Sequence, residues 1–186
     1  MAQSKIIGAG EIDAAIERLA SAILDRHGRS AQLLILGIAN GGVEVARRLS
    51  ARLLALESTL NLKTGTVDIS FHRDDISRNP IPKEFAPTHI PGDVNGATII
   101  LVDDVLYSGR TIKAALDELF DHGRPTKVEL AILVNRGGRR LPVAADYEGL
   151  VVSATEAEKV AVILDADDHD RDQIRIEPAT TRNAAL

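Results

Sequence analysis

The sequence contains no cysteine, which excludes disulfide bonds and metal sites built from thiolates. Aromatic residues make up only 3% of the chain, so its core must be built from Val, Ile, Leu and Ala. Aliphatic cores of this kind suit a parallel sheet, whose strands are buried on both faces. No apolar run approaches the length of a membrane span, and the first ten residues carry no signal-peptide segment. We therefore expect a cytoplasmic protein with no membrane partner.

An excess of positive charge is also missing. The formal net charge is −5, whereas general nucleic-acid binders rely on many Lys and Arg side chains facing phosphates. This balance argues against strong non-specific binding of nucleic acid and leaves room for a local basic patch. The length of 186 residues fits one domain, so we predict a single domain over residues 1–186.

Strand and helix patterns alternate along the chain. Apolar residues at helical spacing predict helices, whereas aliphatic runs and two-residue alternation predict strands. The predicted helices cover residues 12–23, 43–53 and 112–120, and the predicted strands cover 33–36, 67–72, 98–102, 128–134, 150–152, 160–164 and 174–176. This order predicts an α/β fold with a central, mainly parallel, twisted sheet flanked by helices.

Three segments lack such periodicity. Residues 73–96 carry four prolines between two predicted strands, so we predict a mobile lid loop there. The acidic stretch 165–172 lacks the ligand spacing of a calcium loop and is interpreted as a solvated turn. The tail, residues 178–186, is expected to be frayed.

The segment from Ile99 to Thr111 carries the clearest chemistry. A hydrophobic strand delivers Asp103 and Asp104 to its carboxyl end, and a short turn containing Ser108 and Gly109 then opens a helix. A helix N-terminus presents unpaired N–H groups and a partial positive charge, so it binds anions. Carboxylates accept hydrogen bonds from hydroxyl groups and help to hold a hard cation such as Mg²⁺. The combination predicts a site for a phosphorylated ribose.

Each of these residues also has a purely structural interpretation. Asp103 or Asp104 would cap a turn, and Ser108 would cap the helix. The strand, acid pair, spacer and Ser-Gly-Arg-Thr turn occur together, however, in the strand–loop–helix context that phosphate sites require. The combined pattern favours the binding site.

The segment Val102–Thr111 resembles the 5-phosphoribosyl-1-pyrophosphate (PRPP) motif of type I phosphoribosyltransferases, and its spelling is closest to the PyrR family. That family regulates pyrimidine operons and acts as a uracil phosphoribosyltransferase. The stretches Asp68–Asp75, Gly123–Pro125, Leu133–Pro142 and Ala145–Tyr147 support the same resemblance. The likeness runs from the first helix to near the C-terminus.

The resemblance implies a role for individual residues. Asp103 and Asp104 would contact the ribose hydroxyls, with Mg²⁺ as the cofactor, held mainly through PRPP. Arg73 would reach the pyrophosphate from the base of the lid, and Asn135 and Arg136 would lie near the base. PRPP and its phosphates would be bound by Val105, Leu106, Tyr107, Ser108, Gly109, Arg110, Thr111, Asn40, Gly41 and Gly42.

Two departures from the family pattern affect these roles. Asn40-Gly41-Gly42 stands where the family usually has Thr-Arg-Gly, so an arginine that would pair with phosphate oxygens is missing. Asn135 and Gly138 stand where the family usually has aspartate and histidine, near the expected base site. These changes bear more on uracil turnover than on PRPP or nucleotide binding.

Several functions remain open at this point. The leading hypothesis is a transferase that makes UMP from PRPP and uracil; the alternatives are a nucleotide-sensing regulator with weak or no catalysis and a transferase for another base. An acid-pair phosphohydrolase would need a nucleophilic aspartate arrangement that the sequence does not offer. The resemblance also implies a homodimer or homotetramer. RNA contacts would come from Arg18, Arg26, Arg139 and Arg140, opposed by the nearby acids Asp13, Glu17 and Asp25.

Overall fold

The computed structural model describes residues 5–28, 32–70 and 87–179. Three helices and eight strands lie within these ranges. The helices are α1 (Ala9–His27), α2 (Gly41–Leu56) and α3 (Arg110–Asp121). The strands are β1 (Lys5–Gly8), β2 (Gln32–Ile38), β3 (Asn61–Val67), β4 (Thr98–Leu106), β5 (Lys127–Asn135), β6 (Tyr147–Val151), β7 (Glu158–Ile163) and β8 (Gln173–Pro178).

Five strands form a wholly parallel sheet in the order β3-β2-β4-β5-β6. The three inner strands, β2, β4 and β5, carry the aliphatic runs, and alternate side chains lie on opposite faces of the sheet. Leu33 and Ile35 pack with α1 and α2 on one face, whereas Leu34 and Leu36 pack with α3 on the other. The predicted α/β architecture with flanking helices is confirmed.

The other three strands form a second, antiparallel sheet in the order β1-β8-β7. Val160, Ile174 and Ile176 from this sheet join the same core as α1 and α2. The sequence patterns predicted β7 and β8 but neither the separate sheet nor the four-residue strand β1. A strand that short has too few residues to show alternation.

The predicted strand over residues 67–72 is wrong for residues 68–70, and its last two residues, 71 and 72, lie outside the described ranges. The strand is β3, which precedes this segment and ends at Val67. Its polar sequence suits an edge strand, so little apolar alternation marks it. Beyond it the chain turns, because the Asp68 carboxylate accepts hydrogen bonds from the backbone N–H and the hydroxyl of Ser70.

Other boundaries also differ from the sequence prediction. Strand β4 continues through Asp103 and Asp104 as far as Leu106, so the acid pair is part of the strand rather than of a loop. Phe120, predicted on the apolar face of α3, is 52% exposed. The acidic stretch 165–172 is not wholly solvated, since Asp172 is buried.

The described residues cover only part of the predicted lid. Residues 71–86, which include Arg73, lie outside the described ranges, while the remainder of the predicted lid, residues 87–96, is described. There, His89 forms a bridge to Thr66 of β3, with N···O distances of 2.8 and 2.9 Å. None of the helices in the described ranges combines the length and apolar character that a membrane span requires.

Candidate active site

The point where the chain reverses its direction of winding lies between β2 and β4. From β2 the chain passes through α2 to the edge strand β3, whereas from β4 it passes through α3 to β5 on the other side. Helices α2 and α3 pack on opposite faces of the sheet. In open parallel sheets, the loops diverge at such a point and leave a crevice at the carboxyl ends of the strands.

A cavity of about 390 Å³ occupies this crevice. Its volume lies within the range of roughly 300–1,000 Å³ that is usual for small-molecule sites. Four segments line it: the turn between β2 and α2, the residues after β3, the end of β4 and the start of α3 with the loop before it. The lining residues are Ala39, Asn40, Gly41, Ile69, Asp103, Asp104, Val105, Ser108, Arg110 and Thr111.

The acid pair at the end of β4 is held by short backbone contacts. The backbone N–H of Asp104 donates to Asp103 Oδ1 at 3.0 Å, and that of Val105 donates to Asp104 Oδ1 at 2.8 Å. Asp103 is only 4% exposed, whereas Asp104 is half-buried. Burial raises the pKa of Asp103 well above its ordinary value, and the neighbouring charge of Asp104 raises it further. Burial also raises the pKa of Asp104.

Glycines bring the start of α2 into contact with this acid pair. A Cβ atom on Gly41 would lie 2.4 Å from Asp104 Oδ2, and one on Gly42 would lie 2.1 Å from the carbonyl oxygen of Val102. Real Cβ atoms do not approach other atoms this closely, so both positions require glycine in this packing. The peptide bond between Ala39 and Asn40 is cis.

The loop between β4 and α3 forms the third wall. Gly109 precedes the helix with φ +89°, a left-handed conformation that favours glycine, and a Cβ there would lie 3.2 Å from Leu141. The carbonyl oxygen of Ser108 accepts hydrogen bonds from the N–H groups of Arg140 and Leu141 at 3.1 and 3.0 Å. The segment that follows β5 therefore holds this loop in place through backbone hydrogen bonds.

The residues predicted near the base lie at the carboxyl end of β5, the strand next to β4. Asn135 pairs in register with Leu106, donates from Nδ2 to Glu148 at 2.6 Å, and lines a small cavity of about 270 Å³. Arg136 is 7% exposed, and its guanidinium donates to the carbonyl oxygens of Thr155 and Glu158. Neither side chain lines the cavity that contains the acid pair.

The four arginines suggested as RNA contacts all have oxygen acceptors within the chain. Arg18 donates to the carbonyl oxygen of Gly149, and Arg26 lies 3.3 Å from carboxylate oxygens of Glu129 and Asp146. The other two, Arg139 and Arg140, are exposed in the loop after β5 and contact the carbonyl oxygen of Val143 and the carboxylate of Glu156 respectively.

The cavity brings together most of the phosphate and ribose residues that the motif predicted. The exceptions are Leu106 and Gly42, which are buried, and Tyr107 and Gly109, which belong to the loop but do not line the cavity. Ala39, which the resemblance placed in the same loop as Asn40, also lines the cavity. Sequence reasoning missed Ile69, because it fell within the predicted strand 67–72, whereas it follows β3 at the edge of the sheet where the carboxyl ends of the parallel strands lie.

Comparison with known proteins agrees with this geometry. The family model "Phosphoribosyl transferase domain" matches residues 5–165. "Bifunctional protein PyrR" of Roseiflexus sp. is 42% identical over 165 residues, which cover 88% of this chain and 89% of the relative. The chain belongs to the PyrR family.

Further comparisons extend the PyrR likeness along the chain and to solved structures. "Bifunctional protein PyrR" of Listeria welshimeri is 39% identical over 177 residues, covering 94% of this chain and 96% of the relative. The crystal structure of the hypoxanthine phosphoribosyltransferase of Trypanosoma cruzi superposes with a TM-score of 0.66 at 19% identity, covering 92% of this chain and 95% of that one. At this identity the superposition establishes the fold that PyrR proteins share with that enzyme.

Proposed function

We propose that the protein transfers the 5-phosphoribosyl group of PRPP to N1 of uracil, giving UMP and pyrophosphate. The bond from C1′ to the pyrophosphate oxygen breaks, the bond from C1′ to N1 forms, and the N1 proton is released. The observation that carries the proposal is the meeting of an acid pair, a helix N-terminus and a glycine loop in one cavity. Membership of the PyrR family supports the same reaction.

Each wall of the cavity suits one part of PRPP. The hydroxyls of Ser108 and Thr111, with the first N–H groups of α3, would hold the 5′-phosphate. Asp103 and Asp104 would accept hydrogen bonds from the ribose hydroxyls. The pyrophosphate would lie against Asn40, Gly41 and Gly42, where Gly41 allows close approach of the backbone. Arg73 is proposed to reach it from the segment outside the described residues.

Catalysis would then consist of positioning and electrostatic stabilisation. The transition state carries positive charge on the ribose ring and growing negative charge on the departing pyrophosphate. Ionised Asp104 would stabilise the first charge, and the start of α3 and the glycine loop would hold the phosphates that flank it. Exclusion of water from the cavity would protect PRPP from hydrolysis.

The donor set fits Mg²⁺ only as an ion shared with the substrate. Among the described residues, no group of three or more His, Asp and Glu side chains is placed to hold a metal ion. Asp103 and Asp104 are oxygen donors of the type that Mg²⁺ prefers, and the ion usually binds through one or two carboxylates plus substrate phosphates. Bound in this way, Mg²⁺ would neutralise charge on the leaving pyrophosphate.

A product assay tests the proposed reaction. Uracil, hypoxanthine and orotate are each incubated with PRPP and Mg²⁺, and nucleotide formation is followed chromatographically beside the Asp104→Asn variant. We expect UMP from uracil, with much less product from the other two bases and from the variant. If no base gives a nucleotide at high protein concentration, the transferase proposal is rejected.

A second candidate is a nucleotide-sensing regulator with weak or no catalysis. The missing arginine in Asn40-Gly41-Gly42 favours it, because the loop after β2 would offer pyrophosphate backbone N–H groups but no guanidinium. The relatives' name, "Bifunctional protein PyrR", is consistent with a second role. RNA binding would use Arg18, Arg26, Arg139 and Arg140, and the assembly would be a homodimer or homotetramer. Calorimetric UMP binding without turnover would support this candidate, and failure to retain RNA at low salt would remove its RNA version.

A further inference from the structure

The ring of Tyr107 contacts two residues of the loop that follows β5. The guanidinium carbon of Arg136 lies 4.1 Å from the centre of the ring, within the range of a cation–π contact. A Cβ atom on Gly138 would lie only 2.6 Å from Cε2 of the ring. The ring therefore occupies the space that a side chain at residue 138 would need.

Arg136 is fixed at its other end by the segment that leads into β7. Its two terminal nitrogens donate to the carbonyl oxygens of Thr155 at 2.7 Å and Glu158 at 2.9 Å. That segment is itself ordered, because the Glu158 carboxylate accepts hydrogen bonds from the backbone N–H and the hydroxyl of Thr155, both at 2.8 Å. The buried guanidinium thus links the β4–α3 loop to the start of β7 in the three-stranded sheet.

We infer that Arg136 is a positioning residue for the β4–α3 loop: stacked on Tyr107 and donating to Thr155 and Glu158, it sets the loop that receives the 5′-phosphate. This inference rests on the proposed function, which assigns the phosphate to Ser108–Thr111. Arg136 itself does not line the cavity that contains the acid pair, so its role differs from the base contact implied by the family resemblance.

The residue type matches this role. A guanidinium is planar, stacks on aromatic rings and offers several donors in a fixed fork, whereas a lysine ammonium cannot stack in this way while donating to two carbonyl oxygens. The absence of a side chain at Gly138 leaves room for the ring, and the family's usual histidine at that position would displace it. The departure at Gly138 therefore has a structural consequence at Tyr107.

Two adjacent glycines provide the test. Gly137 and Gly138 have nearly the same left-handed backbone, with φ +73° and +76°, but a Cβ at Gly137 has no atom within 4 Å among the described residues. Gly138→Ala pushes on the Tyr107 ring, and Gly137→Ala imposes the same backbone strain without that contact. Arg136→Met removes the guanidinium that stacks on the ring. For each variant, calorimetry gives the Kd for UMP and for magnesium pyrophosphate, and thermal unfolding gives Tm.

We expect Gly138→Ala and Arg136→Met to weaken UMP binding by about tenfold, since small displacements of binding groups are costly. Magnesium pyrophosphate, which uses the loop after β2, should keep its wild-type Kd in both variants, and Gly137→Ala should keep both values. Equal effects of the two alanine variants on UMP, or parallel weakening of both ligands, would overturn the positioning role. Should Arg136→Met fail to fold, the glycine pair alone decides. A wild-type protein that binds no UMP would instead refute the proposed function.

Discussion

Gly41 and Asp104 are in such close contact that a Cβ atom on the glycine would lie 2.4 Å from the carboxylate oxygen Oδ2. The two residues belong to different elements, the first turn of α2 and the end of β4. This contact sets the distance between the loop after β2 and the acid pair. Asn40-Gly41-Gly42 differs from the usual family sequence, but glycine at residue 41 suits this packing. Any side chain there would displace the carboxylate of Asp104.

Gly41→Ala should lower kcat/KM for PRPP by about 10- to 100-fold, because the new methyl group would push Asp104 out of position. Steady-state kinetics at saturating uracil measures the change. The matched control is Gly10→Ala, which also lies in the first turn of a helix but has no atom within 4 Å of its Cβ position among the described residues. The control should keep full activity and gain about 0.4–1 kcal/mol of stability. Equal activity in the two variants would contradict the contact.

Asp103→Asn should stabilise the protein while reducing its activity. The pKa of Asp103 is raised by burial and by Asp104, so the folded protein binds this proton more tightly than the unfolded chain does. The free energy of unfolding therefore falls as the pH rises from the ordinary aspartate pKa of about 4 through the raised value. Removing the charge should add roughly 0.5–2 kcal/mol at pH 7.5, measured by urea denaturation.

The control for this variant is Asp117→Asn, which loses only an exposed pair with Lys113. Its stability should change by less than about 0.5 kcal/mol. A wild-type stability that rose over the same pH range, or an Asp103→Asn variant less stable than wild type at pH 7.5, would show that the buried carboxylate is not a source of instability.

Glu129 near the start of β5 should have the opposite pH dependence. Burial alone would raise its pKa, but hydrogen bonds from Lys127, Tyr147 and His27 outweigh burial and lower it to about 2. Tyr147 donates its hydroxyl hydrogen to Oε2 at 2.6 Å, and the side chain of Glu129 is 1% exposed. The stability supplied by the ionised carboxylate is present above the ordinary glutamate pKa of about 4.3 and is lost as the pH falls toward 2.

Glu129→Gln should therefore lower the free energy of unfolding by about 3 kcal/mol at pH 7. The stability of the variant should also fall less steeply than that of the wild type as the pH drops toward 2. Denaturant titrations from pH 7 to pH 2 measure both effects, with exposed Glu11→Gln on α1 as the control. The folded variant should retain its kcat/KM, because Glu129 lies near the amino end of β5, whereas the cavity lies at the carboxyl ends of the strands. An unchanged acid profile would refute the assigned hydrogen bonds.

Arg48 and Asp172 form a buried ion pair that joins α2 to the start of β8. The Arg48 guanidinium donates to the Asp172 carboxylate and, at 2.6 Å, to the carbonyl oxygen of Asp165. Asp172→Ala would leave the buried Arg48 guanidinium with Glu44, at 2.7 Å, as its remaining carboxylate partner. The variant should therefore be destabilised by about 3 kcal/mol. Exposed Asp170→Ala is the control in the same acidic stretch. Similar denaturant midpoints for both variants would contradict the burial of the pair.

The sequence predicted the interior of the sheet better than its edges. The aliphatic runs at Leu33–Leu36 and Thr98–Val102 are buried on both faces, so composition alone identifies them as strands. Strand β3 lies at the edge of the sheet and is polar. Its pairing with β2, rather than its own hydrophobic pattern, makes it a strand. The acidic stretch 165–172 seemed purely solvated because its buried partner, Arg48, is more than 100 residues away.

The same distinction applies to the site. Asp103, Asp104, Ser108 and Thr111 lie in one short segment that carries a local motif, and the cavity brings all four together. Ile69 reaches the cavity only through strand order, which no local pattern reveals. Arg136 was expected near the base from the resemblance, but its donors are directed to backbone carbonyl oxygens, a contact that depends on the path of a distant segment.

A crystal structure of the protein with UMP tests the central claim most directly. We expect the 5′-phosphate at hydrogen-bonding distance, about 3 Å, from the start of α3 at Ser108–Thr111, and the ribose hydroxyls on Asp103 and Asp104. UMP bound instead in the larger groove of about 660 Å³ between α1 and α2, with the cavity at the end of β4 empty, would contradict the account.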